Sequence, residues 1–264
     1  MRVNWRGIRR ALLCIAGLVI VCTGVVFRAS GSHRLPRPAG LQPLGTGGAL
    51  KGATFAPSEP TAAFHDAYVR PIVTTYLEGI GPGARVLDIG CGAGLLLGSF
   101  SDRKWVRVGA DIDPKAIDAA RRRYPDVEFH VADATRDLTQ LLGEAGFDVV
   151  VSTEVIEHVA SPAALVRNAH RLLRPGGVFV LSTPYHGYPK NIAIALAMKS
   201  DFHYPALSDG GHIKFFSVPV LSRVLWDAGF DDLEFTGAGR VPYLWKSMVF
   251  RAVRPASSPT PRPR

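Results

Sequence analysis

Glu154-Val-Ile-Glu157-His158 places two carboxylates three residues apart, with an imidazole next to the second. On a tight turn that spacing can bring two hard oxygens and a ring nitrogen to one side, a donor set suited to a divalent cation. A further donor, His212, stands in Gly210-Gly-His-Ile-Lys-Phe-Phe216, ahead of a helix expected from about Ser217. The same residues have a structural alternative. Glu157 and His158 can hydrogen-bond a neighbouring loop or cap a helix beginning at Ser161. If no metal binds, His158 is the leading general base, with Glu157 as the second catalytic candidate.

A second constellation lies upstream in Val86-Leu-Asp-Ile-Gly-Cys-Gly-Ala-Gly94. Val86, Leu87 and Ile89 read as a buried parallel strand, and Gly90, Gly92 and Gly94 allow backbone N–H groups to approach a ligand. A glycine turn after a strand also serves packing alone, so its surroundings matter. The next strand, Trp105–Asp111, ends in an acid about 20 residues on, where a carboxylate can accept both hydroxyls of a ribose. Asp113 before Pro114 reads as the N-cap of a helix running to Tyr124. A third strand, Val127–Val131, carries Asp133 to the same edge, where it suits an amino group of a purine. Cys91 reads as a small packing residue of the loop rather than a nucleophile.

Positioning these groups requires strands and helices in alternation. Strand Phe147–Ser152 leads to helix Ser161–Leu173, which Arg174-Pro-Gly-Gly177 breaks before strand Val178–Ser182. An α/β fold is predicted.

Through Val86–Gly94, Gly109-Ala-Asp111, Val131-Ala-Asp133 and Leu172-Leu-Arg-Pro-Gly-Gly177, the chain resembles the class I S-adenosylmethionine-dependent methyltransferases over roughly residues 60 to 253. The resemblance implies a doubly wound, Rossmann-like sheet of seven mostly parallel strands, with an antiparallel strand within Trp245–Val253. It implies that Asp88 and the loop Gly90, Cys91, Gly92 and Gly94 hold the methionine moiety, Asp111 the ribose, and Asp133 with Ala134 the adenine. Glu-x-x-Glu-His after the fourth strand is similar to two branches, the ubiquinone-biosynthesis O-methyltransferases and the small-RNA 3′-terminal 2′-O-methyltransferases. In the RNA branch these residues and a later histidine before Lys-Phe bind a divalent cation. The resemblance therefore implies Mg²⁺ or Mn²⁺ on Glu154, Glu157, His158 and His212.

Charge narrows the acceptor. The net charge of +9 resides in the tails: residues 1 to 51 carry eight Lys/Arg and no acid, and residues 251 to 264 carry four Arg and no acid. The remainder has 19 basic against 22 acidic residues, so a phosphate-tracking surface is not expected and nucleic acid is not the expected partner. The expected acceptor is a lipophilic small molecule bearing a hydroxyl. RNA 2′-O-methylation, methylation of nitrogen or carbon, and a non-catalytic cofactor-binding module are the alternatives.

Ala11–Phe27 is an uncharged run of 17 residues between Arg9-Arg10 and Arg28, which as a helix spans about 25 Å. It reads as a single-pass membrane anchor within segment 1–29, with the catalytic domain in the cytoplasm where S-adenosylmethionine is made. A cleavable signal peptide and a misassigned start codon are alternatives. Residues 30–60 read as a Gly/Pro-rich linker, 61–253 as the catalytic domain, and 254–264 as a disordered basic tail. Within the domain, 184–214 reads as an insertion covering the substrate. Its centre, Asn191–Met198, is apolar all round, hence either buried or in contact with lipid. Tyr185, His186, His203 and Tyr204 in this segment are candidate liners of an acceptor pocket, or structural residues.

Overall fold

The computed structural model describes residues 32–37, 67–204 and 211–256. Eight strands form one sheet: β1 (His33–Leu35), β2 (Arg85–Ile89), β3 (Val106–Asp111), β4 (Glu128–Val131), β5 (Phe147–Thr153), β6 (Leu173–Pro184), β7 (Asp231–Ala238) and β8 (Ser247–Val253). Their order is β1-β7-β8-β6-β5-β2-β3-β4. Neighbours from β4 to β6 pair in parallel, whereas β8 is antiparallel to both β6 and β7. The doubly wound, mostly parallel sheet expected from the sequence is therefore present, but with eight strands rather than seven, and β8 and β1 run against the rest.

Alternation of side chains across the pleat builds a core on each face. Leu87, Ile89, Phe179, Leu181 and Phe250 join one cluster, while Val86, Val178, Val180 and Val249 join the other. Burial on both faces explains the nearly continuous apolar runs of the central strands. Helix α1 (Arg70–Tyr76) precedes the sheet's centre, and α2 (Leu95–Gly98) follows the glycine turn. Then come α3 (Pro114–Arg123), α4 (Thr139–Leu142) and α5 (Pro162–Leu172). Asp113 caps α3 as expected, its carboxylate accepting the Lys115 N–H at 2.9 Å. Beyond β6 lie α6 (Tyr188–Leu196), α7 (Ser200–His203) and α8 (Val218–Asp227).

The chain winds outward from β2 through β3 and β4, then returns to the other side of β2 at β5. The crevice at this reversal, outside the carboxyl ends of the strands, is where open α/β sheets bind ligands. It receives both sequence constellations. The loop after β2 and the turn after β5 are in contact: a Cβ added to Gly90, whose φ is +82°, would sit 2.3 Å from Cγ2 of Val155.

Three expectations need correction. His33–Leu35, assigned to a linker, is an eighth strand: it pairs antiparallel with β7, and Arg34 forms an ion pair with Glu234 at 3.4 Å. Arg254, assigned to the tail, is bound into the domain, its side chain donating to the carbonyl of His170 at 2.9 Å. The membrane localisation is overturned: among the described residues no helix is long and apolar enough to cross a membrane. The segment Ala11–Phe27 itself lies outside the described residues.

Candidate active site

Asp88 is the buried acid of β2. Its Oδ1 has no hydrogen-bond partner, and burial, reinforced by the nearby Asp111 carboxylate, raises its pKa to about 7. A partnerless carboxylate oxygen at the floor of this crevice fits a bound ammonium such as that of a methionine moiety. Above it, Gly92 has a φ of +51° and open space where a Cβ would project. The turn is tied to β3: Asp111 Oδ2 accepts the Gly92 N–H at 2.8 Å and Oδ1 accepts the Asp113 N–H at 2.9 Å. Each oxygen has capacity to accept a further hydrogen bond, as a ribose ligand requires.

At the end of β4, Asp133 closes its own turn, Oδ1 accepting from the backbone and hydroxyl of Thr135 at 2.8 and 2.7 Å. The carbonyl of the adjacent Ala134 accepts from Asn168 Nδ2 at 2.8 Å, fixing this wall against α5. Cys91 is buried, and burial raises its thiol pKa far above the ordinary value, which agrees with a packing role.

On the other side of the crevice, Glu154–His158 forms a turn after β5. Glu157, His158 and His212 each offer one ligand atom, all within 4.8 Å of one another. The Glu157 carboxylate is buried, Oε2 accepting from the Thr183 hydroxyl at 2.9 Å. Its other oxygen, Oε1, has no hydrogen-bond partner and lies 3.8 Å from His158 Nε2 and 4.0 Å from His212 Nε2. Burial, with the Glu154 charge second, pushes the pKa of Glu157 well up. His212 is brought to the turn by backbone, the N–H groups of Ile213 and Lys214 donating to the Glu157 carbonyl at 2.9 and 3.0 Å. His158 Nδ1 lies 3.3 Å from the carbonyl of Gly211, which can accept from it, and Nε2 is the nitrogen on the side of Glu157. A carboxylate oxygen facing two imidazole nitrogens can share a proton or a divalent ion with them. The donor set fits a cation.

Glu154 departs from the expected ligand set. Its φ of +55° turns the side chain toward β6 and β8, where its carboxylate accepts from Ser182 Oγ at 2.8 Å and Ser247 Oγ at 3.3 Å. Ser182, Thr183 and Ser247 were not singled out in the sequence. Their signal is register: Ser182 pairs with Thr153, the residue before Glu154, and Ser247 pairs with Pro184.

The insertion resolves into α6 and α7. Ile194 and Lys190 are buried, whereas Ile192, Leu196 and Met198 are exposed, so the helix is covered on one side only. Tyr185 belongs to the core. His186 packs edge-on against Phe215; burial, then the charges of Lys190, His212 and His203, lower its pKa to about 4, leaving it neutral. Between this insertion and Arg240–Leu244 is a cavity of about 510 Å³, lined in part by Ile194, Phe202, Val241 and Leu244.

Comparison with known proteins bears on the family and the fold. The chain is 34% identical over 174 residues to a ubiquinone biosynthesis O-methyltransferase of Ruegeria pomeroyi and 35% identical over 173 residues to one of Cereibacter sphaeroides. Each alignment covers 62% of this chain and 66% of the relative, so the chain spans just under two thirds of the relatives' length. Among solved structures, a Haloferax volcanii methyltransferase in complex with its Trm112 activator matches with a TM-score of 0.58 at 19% identity, over 73% of this chain and 92% of that one. A Haemonchus contortus phosphoethanolamine N-methyltransferase bound to S-adenosylmethionine matches with a TM-score of 0.54 at 16% identity, over 71% and 52%. Such identities speak for the fold alone. The family model described as a methyltransferase domain matches residues 62–234, and the chain belongs to this family of S-adenosylmethionine-dependent methyltransferases.

Proposed function

We propose that this protein transfers a methyl group from S-adenosylmethionine to a hydroxyl of a lipophilic small molecule, with a divalent cation held by Glu157, His158 and His212. The observation that carries the reading is Glu157 Oε1, a buried oxygen with no hydrogen-bond partner facing two imidazole nitrogens. Oxygen as the target is favoured by the curated relatives, which are named O-methyltransferases of ubiquinone biosynthesis. The apolar part of the cavity beside α6 favours a lipophilic acceptor.

When bound, S-adenosylmethionine supplies an electrophilic methyl on sulfur, and a divalent cation supplies Lewis acidity that lowers the pKa of a hydroxyl. The chain's own residues position and charge the site. Asp88 offers Oδ1 to an ammonium, Asp111 offers a lone pair from each oxygen to a ribose, and the open face of Gly92 admits the cofactor's bulk. Thr183 and the Gly211 carbonyl hold Glu157 and His158 in orientation, so the hydroxyl meets a preorganised site. In a metal-free enzyme His158 Nε2 is the base that takes the hydroxyl proton.

The test is incubation with methyl-labelled S-adenosylmethionine and a panel of alkylphenols, with product analysis, in excess chelator and after adding back Mg²⁺ or Mn²⁺. Labelled methyl ethers formed only with metal are expected. N- or C-methyl products would refute the oxygen assignment, and full activity in chelator would refute the metal.

A further inference from the structure

The cavity between α6–α7 and the segment Arg240–Leu244 has a chemistry that a purely lipophilic acceptor does not use. Among the described residues, those lining it include Lys190, Lys199, His203 and Arg240, and none of them is acidic. Among the described residues, no salt bridge engages Lys190, Lys199 or Arg240. Lys190 is buried, and its Nζ donates to two uncharged groups, the carbonyls of Tyr185 at 2.7 Å and Lys246 at 3.4 Å. An ammonium has three donors, so one remains. The other lining residues, Ala193, Ile194, Ala197, Phe202, Val241 and Leu244, are apolar.

We propose that this cavity binds an amphipathic anion, its carboxylate or phosphate held by Lys190, Lys199, Arg240 and His203 and its apolar body by Ile194, Phe202, Val241 and Leu244. The inference rests on the cavity being the acceptor site, and it then makes the acceptor a hydroxylated apolar molecule with an acidic group. The cavity connects through the backbone to Glu154, at the start of the turn that carries Glu157 and His158: Lys246 gives its carbonyl to Lys190, and the next residue, Ser247, donates to Glu154.

Electrostatics agree. Burial lowers the pKa of Lys190 to about 8, and the charge of Arg240 adds to the shift, against a smaller opposing effect of the Glu154 carboxylate. Burial also lowers the pKa of His203, and the charges of Lys190, Arg240 and Lys199 follow. Like charges gathered beside an apolar wall repel one another, and an anion placed among them removes that repulsion. The volume suits a small molecule, within the range of about 300–1,000 Å³ usual for ligand pockets.

The experiment uses the full chain and calorimetric titration with decanoate, decyl phosphate and 1-decanol, all below micelle formation. Decanoate or decyl phosphate should bind at least about tenfold more tightly than 1-decanol, and the better of the two identifies the acidic group. The double variant Lys199→Glu/Arg240→Glu should lose roughly 10- to 100-fold of the anion affinity, the scale of charge-assisted hydrogen bonds, while 1-decanol binding is kept. Retained S-adenosylmethionine affinity shows that the variant is folded. If it fails to fold, Lys199→Gln/Arg240→Gln replaces it, with a loss of anion affinity in the same direction. Equal affinity for acid and alcohol in wild type overturns the proposal, as does an oligonucleotide that outcompetes both anions or a variant that binds anions as wild type does. Binding is read without turnover. A chain that binds the anions in this cavity yet methylates no hydroxyl would refute the O-methyltransferase reading and leave the anion site standing.

Discussion

The Thr183 hydroxyl donates to Oε2 of Glu157 at 2.9 Å and thereby decides which carboxylate oxygen faces His158 and His212. Second partners of this kind typically contribute 10- to 100-fold to metal affinity. Thr183→Val, which keeps the shape and removes the donor, should therefore weaken Mn²⁺ binding by about tenfold or more. Thr183→Ser should restore most of it. Titration followed by electron paramagnetic resonance checks both, and Mn²⁺ affinity unchanged in Thr183→Val would show that the hydroxyl does not orient the ligand.

Asp88 gives a dependence on pH. Its pKa is raised in the fold from 3.8 to about 7, so the native state holds the proton more tightly than the unfolded chain. Stability of the cofactor-free protein should fall as pH rises from about 4 to about 7 and then level off. The loss should reach up to a few kcal/mol in all, since each tenfold difference in proton affinity between the two states corresponds to about 1.4 kcal/mol. Asp88→Asn should remove this slope and be the more stable protein at pH 8. Urea unfolding at pH 5 and pH 8 measures the difference, and parallel curves for variant and wild type would exclude a buried, protonated Asp88.

Asp111 has two tasks that different substitutions separate. Its carboxylate ties down the Gly92 and Asp113 N–H groups and faces the expected ribose. Asp111→Ala should cost about 1–3 kcal/mol of S-adenosylmethionine affinity, the scale of a lost charge-assisted hydrogen bond. Asp111→Asn keeps one acceptor and should lose less. Calorimetry with S-adenosylmethionine decides the matter, and full affinity in Asp111→Ala would remove it from the ribose site.

The elements on the candidate cofactor side of the crevice were legible in the sequence because their logic is local. Val86, Leu87 and Ile89 sit on a strand buried on both faces, so they form an apolar run, and Asp113-Pro114 starts α3 through contacts within the same turn. The acceptor side is assembled across strands. Ser182, Thr183 and Ser247 gain their contacts only when β6 is flanked by β5 and β8, and Lys190, Lys199 and Arg240 line one cavity from an insertion and a distant loop. His33–Leu35 is too short to show a period, and what stabilises it is pairing with β7. Spacing and the resemblance to the RNA branch both group Glu154 with Glu157, whereas in the fold its carboxylate accepts from Ser182 and Ser247.

That divergence is testable because the two glutamates differ in what already satisfies them. Glu154 accepts from Ser182 and Ser247, whereas Oε1 of Glu157 has no hydrogen-bond partner and faces both histidines. Glu157→Gln replaces one charged ligand by an amide and should abolish Mn²⁺ binding at concentrations that saturate wild type. Glu154→Gln keeps a carbonyl acceptor for one serine and removes a negative charge acting on Glu157, so it should weaken Mn²⁺ binding by no more than about tenfold. Ser182→Ala/Ser247→Ala, which frees the Glu154 carboxylate, discriminates further. If Glu154 stays with the serines, the double variant binds Mn²⁺ as wild type does. If its carboxylate swings to the ion, freeing it raises the affinity, and Glu154→Gln then proves as damaging as Glu157→Gln.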